Sequence, residues 1–118
     1  MIVKLPELPT LNEYIRAERS NRYRAAKIKR ETTAMVAMYF KAAKAKPVKK
    51  ITKLTFVWTH KNKRKDFDNV EFAQKFIRDG MVLAGVIKND GWRHLPPRTL
   101  HKHEIGDTPG VTVIYKSV

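Results

Sequence analysis

ITKLTFVWTHKNKRKDFDNVEFAQKFIRDGMVLAG, residues 51–85, carries two hydrophobic periods in succession. Residues 51–59 alternate, with Leu54, Phe56 and Trp58 on one side and Thr55, Val57 and Thr59 on the other. A period of two is the signature of a strand with one buried face. Residues 60–65, HKNKRK, then form a polar, basic loop or strand end. From about Asn69 to Ala84 the period lengthens. Val70, Ala73, Ile77, Met81 and Ala84 recur at helical spacing, and Gly85 is a natural stop.

Working outward, Met1–Leu5 reads as a short strand closed by Pro6 and Pro9. Thr10 can cap a helix, and no Gly or Pro interrupts the chain from Thr10 to Lys46. That span is expected to be helical, with a break near Ser20–Asn21 and an end at Pro47. Its later half, rich in Met35, Val36, Met38, Tyr39 and Phe40, is expected in the core. Beyond Gly85, residues 86–92 contain the turn KNDG. Thr99–Ile105 and Val111–Lys116 read as two strands joined by the turn GDTPG. The order β-α-β-α-β-β predicts one α+β domain over residues 1–118. A small mixed sheet would pack against two main helices.

Bulk composition narrows the partner. The chain has 25 Lys and Arg against 11 Asp and Glu, a formal net charge of +14. Such a surplus points to a polyanion, nucleic acid first and an anionic membrane surface second. No apolar run reaches about 18 residues, so no membrane span is expected. Residues 1–15 lack the apolar core of a signal peptide, which suggests a cytosolic protein. The absence of cysteine excludes disulfides and thiolate metal sites.

Against that charge, Asp66 and Asp68 stand one residue apart directly after Arg64 and Lys65. The plain account makes Asp68 a helix cap and Asp66 a loop acid. Three features favour another role: the basic run before the pair, Lys75 further along the same helix, and the isolated Asp90 in a Gly-flanked turn. On a helical wheel Asp68, Glu71, Lys75 and Asp79 share a side opposite the apolar stripe. Mg²⁺ takes oxygen ligands, usually one or two carboxylates with water and phosphate. At a phosphodiester it can activate water and offset charge on the leaving oxygen, while a nearby lysine stabilises developing charge. The acids would form a metal site inside a phosphate-binding field.

Chain length constrains Asp90. A helix from Val70 to Leu83 travels about 21 Å. Residues 84–90 can return at most about 23 Å. Asp90 therefore rejoins Asp66 and Asp68 in one chain only if the segment doubles straight back; otherwise a second subunit completes the site. Phe72 and Val82, apolar on the outer side of the helix, suggest that something covers part of that side.

KDFDN followed by AQKFIRDGMVLAGVIKNDGW resembles the RusA family of Holliday junction resolvases, common in bacteriophages and prophages. The likeness extends to the early LPTLNEYI segment and the late two-strand end. It implies a Mg²⁺-dependent homodimeric endonuclease, with Mn²⁺ a possible substitute, that cuts branched DNA by paired nicks. By position, Asp66, Asp68 and Asp90 match the catalytic, metal-binding aspartates, and Lys75 matches the assisting lysine. Two departures stand out. One extra helical turn separates the D-x-D-N motif from Lys75, and Asn89 precedes Asp90 where the family often has a second aspartate. Glu71 is a candidate to compensate as a ligand.

Lys61, Lys63, Arg64 and Lys65, together with Arg22, Arg24, Lys27, Lys29 and Arg30, are the expected DNA-backbone contacts, joined by Asn12, Arg16 and Arg19. His60, His94, His101 and His103 look scattered; His101 and His103 share a strand face but lack an evident third metal ligand. Trp58 and Trp92 are both expected in the core, Trp92 having a base-stacking alternative. Neither a membrane nor a small-molecule cofactor is expected. A non-catalytic DNA-binding protein of the same fold is the competing function, and an RNA-processing nuclease a third.

Overall fold

The computed structural model describes the whole chain, Met1 to Val118. The alternating stretch becomes β2 (Ile51–His60), a strand inside a four-stranded sheet. β1 (Ile2–Pro6) and β3 (Leu100–Ile105) form the edges, and β4 (Gly110–Ser117) lies between β1 and β2. β2 pairs in parallel with β3 and antiparallel with β4, which pairs antiparallel with β1. The helices are α1 (Leu11–Ser20), α2 (Arg22–Ala42), α3 (Phe67–Glu71) and α4 (Gln74–Leu83). The fold is α+β with a mixed sheet, as expected. The order is β-α-α-β-α-α-β-β, because each expected helical span is divided in two.

Leu54, Phe56 and Trp58 are buried on the inner face of β2. They share one core with Val3 and Leu5 of β1, Val111, Val113 and Tyr115 of β4, and Val36, Phe40, Phe76, Ile77 and Met81 of the helices. Burying each large apolar side chain contributes roughly 1.5–3 kcal/mol, so this face fixes the register of every strand. The outer face is more open. Ile2, Ile114, Thr55 and Leu100 form one row across it, and all but Thr55 are exposed.

Asn21 divides the first helical span, as expected, and its side chain accepts a hydrogen bond from the Tyr23 amide. α2 stops at Ala42, before Pro47 is reached. Lys44 adopts a left-handed conformation (φ 59°), its amide donating to the Lys41 carbonyl and that of Ala45 to the Phe40 carbonyl. This is a Schellman ending with lysine in the position that favours glycine. α4 ends the same way at Gly85 (φ 79°), with Gly85 bonded to Val82 and Val86 to Met81. The core expectation for α2 holds for Val36 and Phe40 but not for Met38 and Tyr39, which are exposed.

The expected continuous helix over 69–84 begins earlier and is interrupted at Phe72–Ala73. There the amides of Ala73, Lys75 and Phe76 bond three residues back instead of four, tightening the turn. Phe72 thereby packs on Tyr14 of α1, with ring centroids 5.5 Å apart, and on Phe76 at 5.6 Å. The cover over Phe72 thus comes from this chain's own α1. β3 and β4, though joined by GDTPG, are not neighbours, because β2 lies between them. No helix is long and apolar enough to cross a membrane.

Candidate functional site

α3 follows the basic loop 61–65 and carries both aspartates at its start. Asp66 is its N-cap residue, but its side chain makes no capping hydrogen bond. Asp68 lies inside the first turn, where its Oδ1 accepts from the Asn69 amide at 3.0 Å. Both are exposed. The expected capping role for Asp68 is therefore absent, and neither carboxylate is occupied in holding the helix end by a side-chain cap. Asn69 anchors the segment instead, its Oδ1 accepting from the Asn12 amide of α1 at 2.9 Å.

Asp66 lines a groove of mixed charge that also holds Lys63, Lys65 and Glu104. An open depression of about 480 Å³ has Lys63, Lys65, Asp66, Phe67 and His103 on its walls. His60, Asn62 and Lys65 also line a smaller hollow of about 260 Å³ beside Glu7 and Thr10. Lys61, Lys63, Arg64 and Lys65 are all exposed, with Lys65 Nζ 3.7 Å from Glu7. The Asn62 side chain accepts from the Arg64 amide, an Asx turn that shapes the loop. Arg22, Arg24, Lys27, Lys29 and Arg30 are likewise exposed along the first half of α2, with Lys27 3.9 Å from Glu31. Arg22 lies over the exposed Tyr23 ring, 5.2 Å from its centroid. Arg16 faces Arg24 across a cleft between α1 and α2, and Asn12 and Arg19 are exposed.

Glu71 departs from the expected outward row. The short α3 turns it toward the sheet, where Oε2 lies 2.6 Å from His103 Nε2. His103 Nδ1 lies 2.8 Å from His60 Nε2. An ionised carboxylate only accepts, so His103 Nε2–H donates to Glu71; in a neutral His103 the Nδ1 then accepts from His60 Nε2–H. Glu71 Oε2 is thereby engaged in this chain of bonds, while Oε1 makes no hydrogen bond. His101 sits beside it, Nδ1 accepting from the Trp58 indole N–H at 3.0 Å. That bond requires an unprotonated Nδ1, so the 3.9 Å approach to Glu71 is not an ion pair. Burial holds the pKa of both His60 and His101 below the usual histidine value. His103 and Lys65 add to the lowering at His60, whereas Glu71 opposes it at His101.

Three of the four histidines thus gather, correcting the scattered picture. Alternation along β3 puts His101 and His103 on one face, which the sequence discloses. Their meeting with His60 depends on the parallel register that sets Trp58 opposite His103, which it does not. His94 is apart, with Nδ1 3.0 Å from the Lys49 carbonyl.

Asp90 returns toward α4. Residues 86 and 87 are buried, and Asp90 comes close enough to Arg78 to oppose the burial that lowers the arginine's pKa. Asp90 and Lys75 are exposed, and Asn89 accepts from the Gly91 amide at 3.0 Å. Trp92, expected in the core, is 83% exposed.

The chemistry of Asp66 and Asp68 suits Mg²⁺: two exposed hard donors one residue apart, within the one or two carboxylates such sites use. Asp90 does not complete a three-ligand set with them, for no group of three or more His, Asp or Glu converges to hold a metal. No protein-family model and no curated protein matches the sequence.

Proposed function

We propose that the protein is a Mg²⁺-dependent endonuclease of branched DNA, similar to the RusA resolvases. The observation that carries this reading is the pair Asp66 and Asp68, exposed and free of side-chain capping, beside a groove lined by Lys63 and Lys65. Lys61, Lys63, Arg64 and Lys65 would bind the phosphate backbone, and the basic half of α2 a further arm. Asp66 and Asp68 would hold the metal, with Asp90 joining once DNA is bound. Mg²⁺ supplies a polarised water and neutralises charge on the leaving oxygen. Lys75 would stabilise charge developing on the phosphate. Two symmetric cuts in a four-way junction call for two such sites, hence a homodimer.

The test is cleavage of an end-labelled four-way junction with Mg²⁺ or Mn²⁺, beside linear duplex of the same sequence. Paired nicks on the junction, abolished by Asp68→Asn with binding retained, are expected. Tight binding without cleavage under either metal would instead establish a non-catalytic binding protein.

A further inference from the structure

α3 is a five-residue helix with no buried residue and no side-chain N-cap. A helix that short has no stability of its own, so its place is set by tertiary ties. Those ties determine where Asp66 and Asp68 stand. The Asn69–Asn12 bond is one. The others converge on His103.

Phe67, the residue between the two aspartates, stacks on the His103 ring with centroids 4.0 Å apart and planes inclined by 22°. The opposite end of α3 reaches the same ring through Glu71, 2.6 Å from Nε2. His60, the last residue of β2, holds Nδ1 at 2.8 Å. The imidazole is therefore fixed at both nitrogens and presents its face to Phe67. Phe67 remains 63% exposed, so its stacking is chiefly with this ring and, edge-on at 6.5 Å, with His60. One residue on β3 thereby ties both ends of the short helix to the rigid sheet.

We propose that His103 is a positioning residue for Asp66 and Asp68, acting through Phe67 and locked by His60 and Glu71. Its catalytic consequence rests on the nuclease reading above; its effect on the backbone does not. A site whose ligands sit on a five-residue helix needs such an outer support, and removing supports of this kind typically costs about 10- to 100-fold in metal affinity or activity.

The experiment compares wild type, His103→Ala, Phe67→Ala and Phe67→Tyr. Amide hydrogen exchange is followed at residues 66–71, and single-turnover junction cleavage is titrated with Mg²⁺. Both alanine variants are expected to exchange faster at these amides. They should also lose about tenfold or more in cleavage or in half-saturating Mg²⁺. Phe67→Tyr, which keeps the stacked ring, should restore both. Because Phe67 is exposed, its variants separate the effect from general unfolding. Unchanged exchange at residues 66–71 in both alanine variants would overturn the proposal, as would normal cleavage and metal dependence in an enzyme that Asp66→Asn inactivates. If wild type cleaves nothing, the nuclease reading fails, and the exchange data alone judge whether His103 positions the segment.

Discussion

Replacing Lys61, Lys63 and Arg64 together by alanine tests whether the basic loop meets a nucleic-acid backbone. All three are exposed and none is paired with a carboxylate, whereas Lys65 is already near Glu7. Each phosphate contact steepens the dependence of log affinity on log salt by about 0.9. Loss of three contacts should make the slope shallower by about 2.7. Over a fourfold rise in salt, wild type should lose roughly 40-fold more affinity than the variant. Fluorescence anisotropy of a labelled four-way junction without divalent metal measures this across about 50–200 mM salt. Asp66→Asn, beside the same loop, should shift affinity the other way by removing a repulsive charge. A variant that binds more weakly at every salt concentration with an unchanged slope would refute phosphate contact by these side chains.

A Cβ on Gly80 would stand 2.4 Å from Val36 Cγ1, where α4 crosses the buried face of α2. Overpacking of this kind costs about 1–3 kcal/mol, against about 1 kcal/mol gained in helix propensity. Gly80→Ala should therefore lower the urea midpoint, and Val36→Ala should partly relieve it in a double-mutant cycle; a stabilised single variant would contradict the close crossing. Lys44→Gly should remove left-handed strain worth about 1 kcal/mol and raise Tm by roughly 4 °C in calorimetry. Stability should also fall as pH drops below about 6.5. Burial lowers the folded pKa of His60 and His101, so the unfolded chain binds protons first. Their contribution is present above the unfolded pKa and is lost on descending through the window to the folded values. Urea unfolding across that range should show it, and His101→Gln should flatten the slope.

The fold was largely legible because its decisive signals are local. Alternation marks β2, the later apolar stripe marks α4, and Asn21 and Gly85 mark helix ends by their own conformational preferences. Errors arose where tertiary packing overrode a local pattern. Lys44 accepts a left-handed turn because Val48 must hydrogen-bond to Val86 and deliver the chain into β2, and Pro47 merely follows. The stripe through Val70, Ala73 and Ile77 gave no sign of a break, because the break serves Phe72 and Tyr14, which lie 58 positions apart in the sequence.

The candidate site divides along the same line. Asp66 and Asp68 stood out from sequence because their spacing is local and their charge opposes the surroundings. The Glu71–His103–His60 chain did not, because each bond crosses between elements brought together only by the parallel pairing of β2 and β3. A helical wheel sends Glu71 outward with Asp68 and Lys75, but it does not show that the last residue of α3 meets His103 of β3. One end of α3 thereby carries Asp66 at the groove while Glu71 at the other grips the sheet.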